Sequence, residues 1–301
     1  MTIEEILKYI QSWSVRFENR LTELVDSLDT RLQGAQRELV KRFLEALNDM
    51  FETEGKNLKK STRNIQALGK FNRLFNKWER EMIGGELALF TTELLEVGGL
   101  TIGYYEATDT HAKAAAIQKS LDLLRAVIGI DKDGVLIEGG YLSNLGNTQV
   151  VRDELRQYVV QSIVTKKSLS DFQKGFKSLV EGNPDTDGAL QRYWRQYSYD
   201  AYNMAHEIVN SSMADELKLK YFIYQGSVIP TTRQFCRKKA GKVFSTAEAA
   251  KWKNDPDLID KKTAASYNPL LERGRWNCRH FLSYISDELA AQLRPDIKNK
   301  T

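Results

Sequence analysis

Apolar residues recur every three or four positions along the first part of the chain. This spacing lays one apolar stripe along a helix. Gly34 is the only glycine within it, and it predicts either a turn between two antiparallel helices or a tolerated residue inside one long helix. A stripe of this length must be covered, either by an intramolecular helical bundle or by another protein. We assign a partner-binding role to seven of its residues: Ile6, Ile10, Trp13, Phe17, Leu21, Leu24 and Leu28.

The helical pattern continues through the middle of the chain. Apolar residues between 65 and 82 share one face, and Gly84-Gly85 is expected to break or bend that helix. A second pair, Gly98-Gly99, predicts a hinge or a bend between helices. The polar loop 183–188 contains the first proline and is the best candidate boundary. We therefore expect an elongated helical N-terminal part with a long-helix region over 1–83, a central helical region over 84–183 and a third region over 184–301.

The third region begins with a helix rich in aromatic residues and then changes its pattern. Aromatic and β-branched residues from 220 to 229 predict a strand with a bulge or turn at Gly226. The spacing Ser245-x-x-Glu248 is that of a capping box, which starts a short helix. Residues 275–285 predict a returning strand. The predicted fold class is mainly α with a small α+β C-terminal module.

Both cysteines of the chain lie in this module, together with one of its three histidines. Cys236 is placed on a short helix, and Cys278 and His280 project from the same side of the returning strand. Thiolate and imidazole are the usual ligands of zinc, so one hypothesis is a zinc site. The spacing supplies no fourth ligand, so we adopt the alternative of buried thiols that pack near one another. A disulfide or a reactive thiol remains a further alternative, and we predict no cofactor, no bound metal and no catalytic residue.

Composition sets outer limits on the class of protein. The net charge is +4, yet twelve Lys or Arg and five Asp or Glu residues lie between Arg233 and Arg279. Such a basic stretch is typical of a solvated surface, of a surface that binds an acidic protein, or of one that meets nucleic-acid phosphate. No apolar run approaches the roughly 20 residues that span a bilayer, so no membrane partner is expected. The N-terminus lacks the features of a secretory signal.

A set of residues in the module forms a recognisable motif. It resembles the C-terminal module of phage Mu F-like head morphogenesis proteins, most strongly over 193–295 and most specifically in its closing Asn-Cys-Arg. The chain departs from many relatives by carrying Pro230-Thr231-Thr232 where an acidic residue is common, a cysteine in place of a histidine, and Asn-Cys-Arg-His in place of Asn-Cys-Arg-Cys. The matching positions are Gly226, Arg233, Cys236, Gly241, Trp276, Asn277, Cys278, Arg279 and His280.

The resemblance implies a minor structural protein of a tailed-phage head, acting in head morphogenesis at or near the portal vertex. Its expected partners are the portal and other head or tail-connector proteins, with packaged double-stranded DNA as a further contact. The expected location is the virion, in several copies, and the host cytoplasm during assembly. Two alternatives are an injected effector enzyme of nuclease or transferase type carried in the capsid, and a DNA-binding accessory protein. We predict that the chain is not an enzyme, because no catalytic constellation can be assembled from its residues.

Overall fold

The computed structural model of the chain describes residues 2–108, 114–259, 267–275 and 278–299. Helices account for most of these residues, and a three-stranded antiparallel sheet lies near the C-terminus. This confirms the predicted fold class, mainly α with a small α+β C-terminal module. Within these ranges every helix is too short or too polar to cross a lipid bilayer. Two motif residues, Trp276 and Asn277, lie outside the described residues.

Helices follow one another along most of the chain, and the strands are short. The described helices are α1 (Ile3–Met50), α2 (Thr62–Gln66), α3 (Leu68–Trp78), α4 (Gly84–Thr108), α5 (Ala114–Ile128), α6 (Tyr141–Gly146), α7 (Gln149–Val164), α8 (Leu169–Glu181), α9 (Ala189–Glu216), α10 (Gln234–Lys239), α11 (Thr246–Ala249), α12 (Pro269–Glu272) and α13 (Asp287–Leu293). The described strands are β1 (Thr53–Glu54), β2 (Asn57–Leu58), β3 (Gly182–Asn183), β4 (Thr186–Asp187), β5 (Tyr221–Gln225), β6 (Val243–Ser245) and β7 (Phe281–Ile285).

The chain divides into two compact units that are each discontinuous in sequence. The first unit contains 1–23, 93–135 and 199–301, and the second contains 24–92 and 136–198. We expected three consecutive regions instead, with a boundary at the loop after residue 183. That loop is the β3–β4 hairpin inside the second unit. A helix the length of α1 extends about 70 Å, which is more than one small core can cover, so its residues are divided between the two units.

The N-terminal stripe lies on one continuous helix, and Gly34 is a tolerated residue within it. In the first unit, Trp13 stacks on Phe17 with ring centroids 4.8 Å apart, and it also contacts Tyr104 and Phe281. The expectation that the stripe binds a partner protein is therefore wrong for most of its members, because the chain itself covers them. Ile6 is half-buried, and the other six are buried: Ile10, Trp13, Phe17, Leu21, Leu24 and Leu28.

Gly98-Gly99 is not the hinge or bend that we expected. Helix α4 runs through both glycines without a break. A Cβ atom on Gly98 would lie 2.6 Å from Cδ2 of Leu124 in α5 and 3.3 Å from Cγ2 of Val209 in α9, whereas a Cβ on Gly99 would meet nothing within 4 Å. Gly98 therefore serves close helix packing, since only hydrogen fits at that position.

The sheet of the first unit has the order β6-β5-β7, and both pairs are antiparallel. Strand β5 ends where predicted, because Gly226 follows it with φ of +127°. The returning strand is shorter than predicted and begins only at Phe281. Arg273 and Arg275 have φ angles of +49° and +66°, which are left-handed conformations incompatible with a strand. Cys278 and His280 therefore precede β7 instead of lying on it.

The second unit has an aromatic core. Phe43 of α1 stacks on Phe176 of α8 with centroids 3.8 Å apart and packs edge-on against Phe71 and Phe172. A π-helical turn at Glu79–Ile83 leads directly into α4, and Gly84 keeps helical backbone angles, so the helix does not break at Gly84-Gly85. The buried side chain of Gln36 accepts hydrogen bonds from the backbone N–H groups of Leu190 and Gln191, which satisfies two donors in the first turn of α9.

Candidate functional site

The first unit brings the two cysteines and one histidine together. The Sγ atoms of Cys236 and Cys278 lie 3.7 Å apart, and Cys278 Sγ lies 3.9 Å from Nδ1 of His280. All three residues are buried, with exposed fractions of 2%, 6% and 2%. Their thiol and imidazole ligand atoms lie within 4.8 Å of one another. Among the described residues, this is the group that could hold a metal ion. The predicted proximity of the thiols is thus confirmed, and His280 belongs to the same cluster. We call these three residues the Cys–His cluster.

Two glycines make room for the Cys–His cluster. A Cβ on Gly226 would lie 2.9 Å from Cα of His280, in addition to the unfavourable positive φ there. A Cβ on Gly274 would overlap with Sγ of Cys236 and lie 3.1 Å from Sγ of Cys278. Gly226 is one of the motif positions named from the sequence. Gly274 opens the closing Gly-x-Trp-Asn-Cys-Arg-His pattern, but no role was predicted for it.

Tyr224 of β5 completes the surroundings of the sulfur atoms. Its hydroxyl donates a hydrogen bond to Sγ of Cys236 at 3.3 Å and lies 3.6 Å from Sγ of Cys278. Its ring stacks on the imidazole of His280 with centroids 5.1 Å apart. Burial raises the pKa of the Tyr224 phenol well above its usual value, so the hydroxyl stays protonated. From the sequence, Tyr224 was predicted only to be part of a strand.

The two thiols ionise unequally. Their mutual hydrogen bond raises the pKa of Cys236 far above that of an ordinary thiol, and burial raises it further. The same hydrogen bond lowers the pKa of Cys278 well below its usual value, and the imidazole of His280 and the positive charge of Arg273 lower it as well. Cys278 is therefore the first of the pair to become a thiolate, which is the form that binds a metal or attacks an electrophile.

The other described motif residues surround the Cys–His cluster without joining it. Arg233 precedes α10 and donates from Nη1 to the carbonyl oxygen of Gly274 at 2.8 Å. Gly241 has φ of +75°, and its N–H donates to the carbonyl of Tyr224. Arg279 is exposed, and its guanidinium lies 5.9 Å from the ring centroid of Tyr199.

A buried ion pair lies in the same unit and was missed by the sequence analysis. Glu207 of α9 contacts the guanidinium of Arg273, and both side chains are almost completely buried. Burial raises the pKa of Glu207 to about 7, against the opposing effect of Arg273. The two residues are 66 positions apart in the sequence, so no local pattern could have indicated the pair.

His206 is a core histidine, as its place on an aromatic helix predicts, but its buried Nε2 has no hydrogen-bond partner among the described residues and lies 3.8 Å from Oε1 of Glu207. It is 1% exposed, and Nδ1 shares a hydrogen bond with the hydroxyl of Thr101 at 2.8 Å. Burial lowers its pKa to about 3, so the ring is neutral at physiological pH. His206 is not one of the residues of the Cys–His cluster.

Much of the basic stretch is engaged inside the module. Lys239 is buried, pairs with Asp255 and lies over the ring of Phe235. Lys238 pairs with Asp257, and Arg237 donates to backbone carbonyls. These contacts reduce the positive charge that remains available to an external anion.

Comparisons with known proteins give no match: no family model fits the chain, and no curated protein or solved structure is significantly similar to it.

Proposed function

We propose that this chain is a minor structural protein of a tailed-phage head, of the Mu F-like type, that acts in head morphogenesis at or near the portal vertex. The observation that supports it is the burial of the motif: Cys236, Cys278 and His280 lie inside the small module, on a glycine cradle. Buried residues of this kind stabilise the fold of the module, and its exposed surfaces remain available to bind assembly partners.

The alternative of an injected effector enzyme of nuclease or transferase type has less support. Catalysis needs a nucleophile or an acid–base pair that a substrate can reach. Cys278 has the ionisation expected of a nucleophile, but it is 6% exposed and His280 is 2% exposed. Neither residue lines the described pockets beside Trp13, beside Phe244 and beside Gln36.

Assembly partners in this proposal are the portal and other head or tail-connector proteins, and the protein is present in several copies per virion. Because the N-terminal stripe is covered by the chain, these partners bind other surfaces. Exposed basic residues of the module, such as Arg279, are the candidates for contact with packaged double-stranded DNA.

The proposal is tested on purified mature virions of the phage that encodes the chain. Mass spectrometry should detect the protein, and electron cryomicroscopy should place it at the portal vertex in a copy number related to the portal or tail symmetry. Deletion of the gene should reduce the number of DNA-filled heads, and the wild-type gene supplied in trans should restore it. Absence from virions together with normal head numbers in the deletion strain would overturn the proposal.

The same deletion strain distinguishes the alternatives. If the protein is an injected effector, complete particles should form without it, and the defect should appear only after infection of a new host cell. If DNA binding is its main role, purified protein should bind duplex DNA with an affinity that falls steeply as salt rises.

A further inference from the structure

We propose that Cys236, Cys278 and His280 bind a zinc ion that joins α10 to the segment before β7. This inference concerns the stability of the module, and it holds whether or not the proposed function is correct. The two parts of the chain that it joins are 42 residues apart at the cysteines.

The distances within the Cys–His cluster fit one tetrahedral ion. Zinc–sulfur bonds of about 2.3 Å place two thiolate sulfurs about 3.8 Å apart, and a zinc–nitrogen bond of about 2.0 Å places sulfur and nitrogen about 3.5 Å apart. The observed separations are 3.7 Å between the two Sγ atoms and 3.9 Å between Cys278 Sγ and His280 Nδ1. All three ligand atoms lie within 4.8 Å of one another, so a single ion can reach them after side-chain movements.

One ring nitrogen of His280 faces the sulfur atoms and could bind the same ion. Its Nε2 atom is buried and has no hydrogen-bond partner among the described residues. Its Nδ1 atom faces Sγ of Cys278 at 3.9 Å. A metal ion at Nδ1 would take the lone pair that faces the sulfur atoms and would leave the ring proton on Nε2.

The chemistry of the ligands selects the metal. Two thiolates and a neutral imidazole balance the charge of a divalent ion, and a neutral site is tolerated in a buried position where a net charge is not. Soft sulfur ligands favour zinc over magnesium, calcium or manganese.

Three protein ligands leave one tetrahedral position for an oxygen atom. No fourth cysteine, histidine or carboxylate joins the cluster among the described residues. The hydroxyl of Tyr224 lies 3.3 and 3.6 Å from the two sulfur atoms and stays protonated, so it can donate to a bound sulfur atom while a water molecule takes the fourth position. The same tyrosine stacks on the imidazole, and Gly226 packs against Cα and the ring of His280, which together hold His280 in place.

The first test measures metal in the full-length protein, purified without chelator. Elemental analysis and native mass spectrometry should find one zinc ion per chain. Cys236→Ser, Cys278→Ser and His280→Gln should each remove it, whereas His206→Gln should retain it. His206 is the matched control because it is an equally buried histidine of the same unit that lies outside the cluster. Zinc that persists in all three cluster variants would be adventitious, and the proposal would fail.

The second test uses cobalt as a spectroscopic probe. Protein that is unfolded, stripped of metal and refolded with Co²⁺ should show thiolate-to-cobalt charge-transfer absorption and the strong visible bands of tetrahedral cobalt. His206→Gln should show the same spectrum and Cys278→Ser should not. A wild-type protein that refolds with no cobalt absorption and retains its Tm in a strong chelator would overturn the proposal. So would a mass two hydrogens lower with no bound metal, since that identifies a disulfide.

Discussion

The carboxylate of Glu207 and the guanidinium of Arg273 form an ion pair in the interior of the first unit, where only 4% and 5% of the two residues are exposed. Burial alone would favour an uncharged carboxyl group, and it raises the pKa of Glu207 to about 7. Removing one partner of such a pair leaves the other charged group buried without an opposite charge to offset its loss of hydration.

Arg273→Met should therefore be strongly destabilising. We expect the free energy of unfolding to fall by about 3–5 kcal/mol, because the Glu207 carboxyl loses its counter-charge in a buried site. Denaturant unfolding measures this loss. The double variant Glu207→Gln with Arg273→Met should recover a large part of it. Strictly additive effects in this double-mutant cycle would show that the two side chains are not coupled.

The two adjacent glycines of α4 should respond to alanine in opposite ways. Gly98→Ala should destabilise by about 1–3 kcal/mol, because its methyl group would overlap with Leu124. Gly99→Ala should stabilise by up to about 1 kcal/mol, because its Cβ meets nothing and alanine favours a helix. Thermal unfolding of the two variants compares them directly. Equal shifts in Tm would argue against the close packing of α4 on α5.

His206 should make the protein sensitive to mild acid. Burial lowers the pKa of His206 from the ordinary 6.5 to about 3, and the charge of Arg273 lowers it as well. The other neighbours of the ring are Thr101, aromatic rings and the carboxyl group of Glu207, whose Oε1 lies 3.8 Å from Nε2. Because the folded-state pKa is the lower one, this stabilisation is complete above about pH 6.5 and is lost as the pH falls toward 3.

The replacement His206→Gln tests this acid sensitivity. The variant should be less stable than wild type near neutral pH, and the difference should shrink as the pH falls between about 6.5 and 3. Urea midpoints for both proteins across that range supply the measurement. A constant difference at every pH would mean that protonation of His206 is not linked to unfolding.

Glu248 should contribute stability with a different pH range. Its carboxylate caps α11 through Ser245 and pairs with Arg294, whose hydrogen bonds lower the pKa of Glu248 from 4.5 to about 2. The folded-state pKa is again the lower one, so the contribution is complete above about pH 4.5 and is lost as the pH falls toward 2.

Glu248→Gln should reduce the free energy of unfolding at neutral pH by roughly 1 kcal/mol, since this partly exposed pair is screened by solvent. The difference from wild type should disappear near pH 2. Arg63, which forms an exposed ion pair with Glu52, offers a control: Arg63→Gln should change the stability very little. Equal effects of the two substitutions would argue against a special role for the capping box.

Local features of this chain could be predicted from the sequence because they depend on residues a few positions apart. The three- and four-residue spacing of apolar side chains specified the helix that became α1, and Ser245 with Glu248 specified the start of α11. Strand β5 and its end at Gly226 followed from β-branched and aromatic residues before a glycine. The nearness of Cys236 to Cys278 was also anticipated from the residue types.

Only the tertiary structure decided which surfaces meet. The apolar stripe of α1 would have suited a partner protein equally well, and its periodicity cannot say that Tyr104 and Phe281 cover Trp13. The sequence predicted a hinge at Gly98, whereas in the structure Gly98 packs closely against Leu124. The pairing of Glu207 with Arg273 likewise depends on folding, because the sequence offers 44 Lys or Arg residues as possible partners for that carboxylate. Periodicity determines how a segment folds, whereas packing of the whole chain determines what each segment contacts.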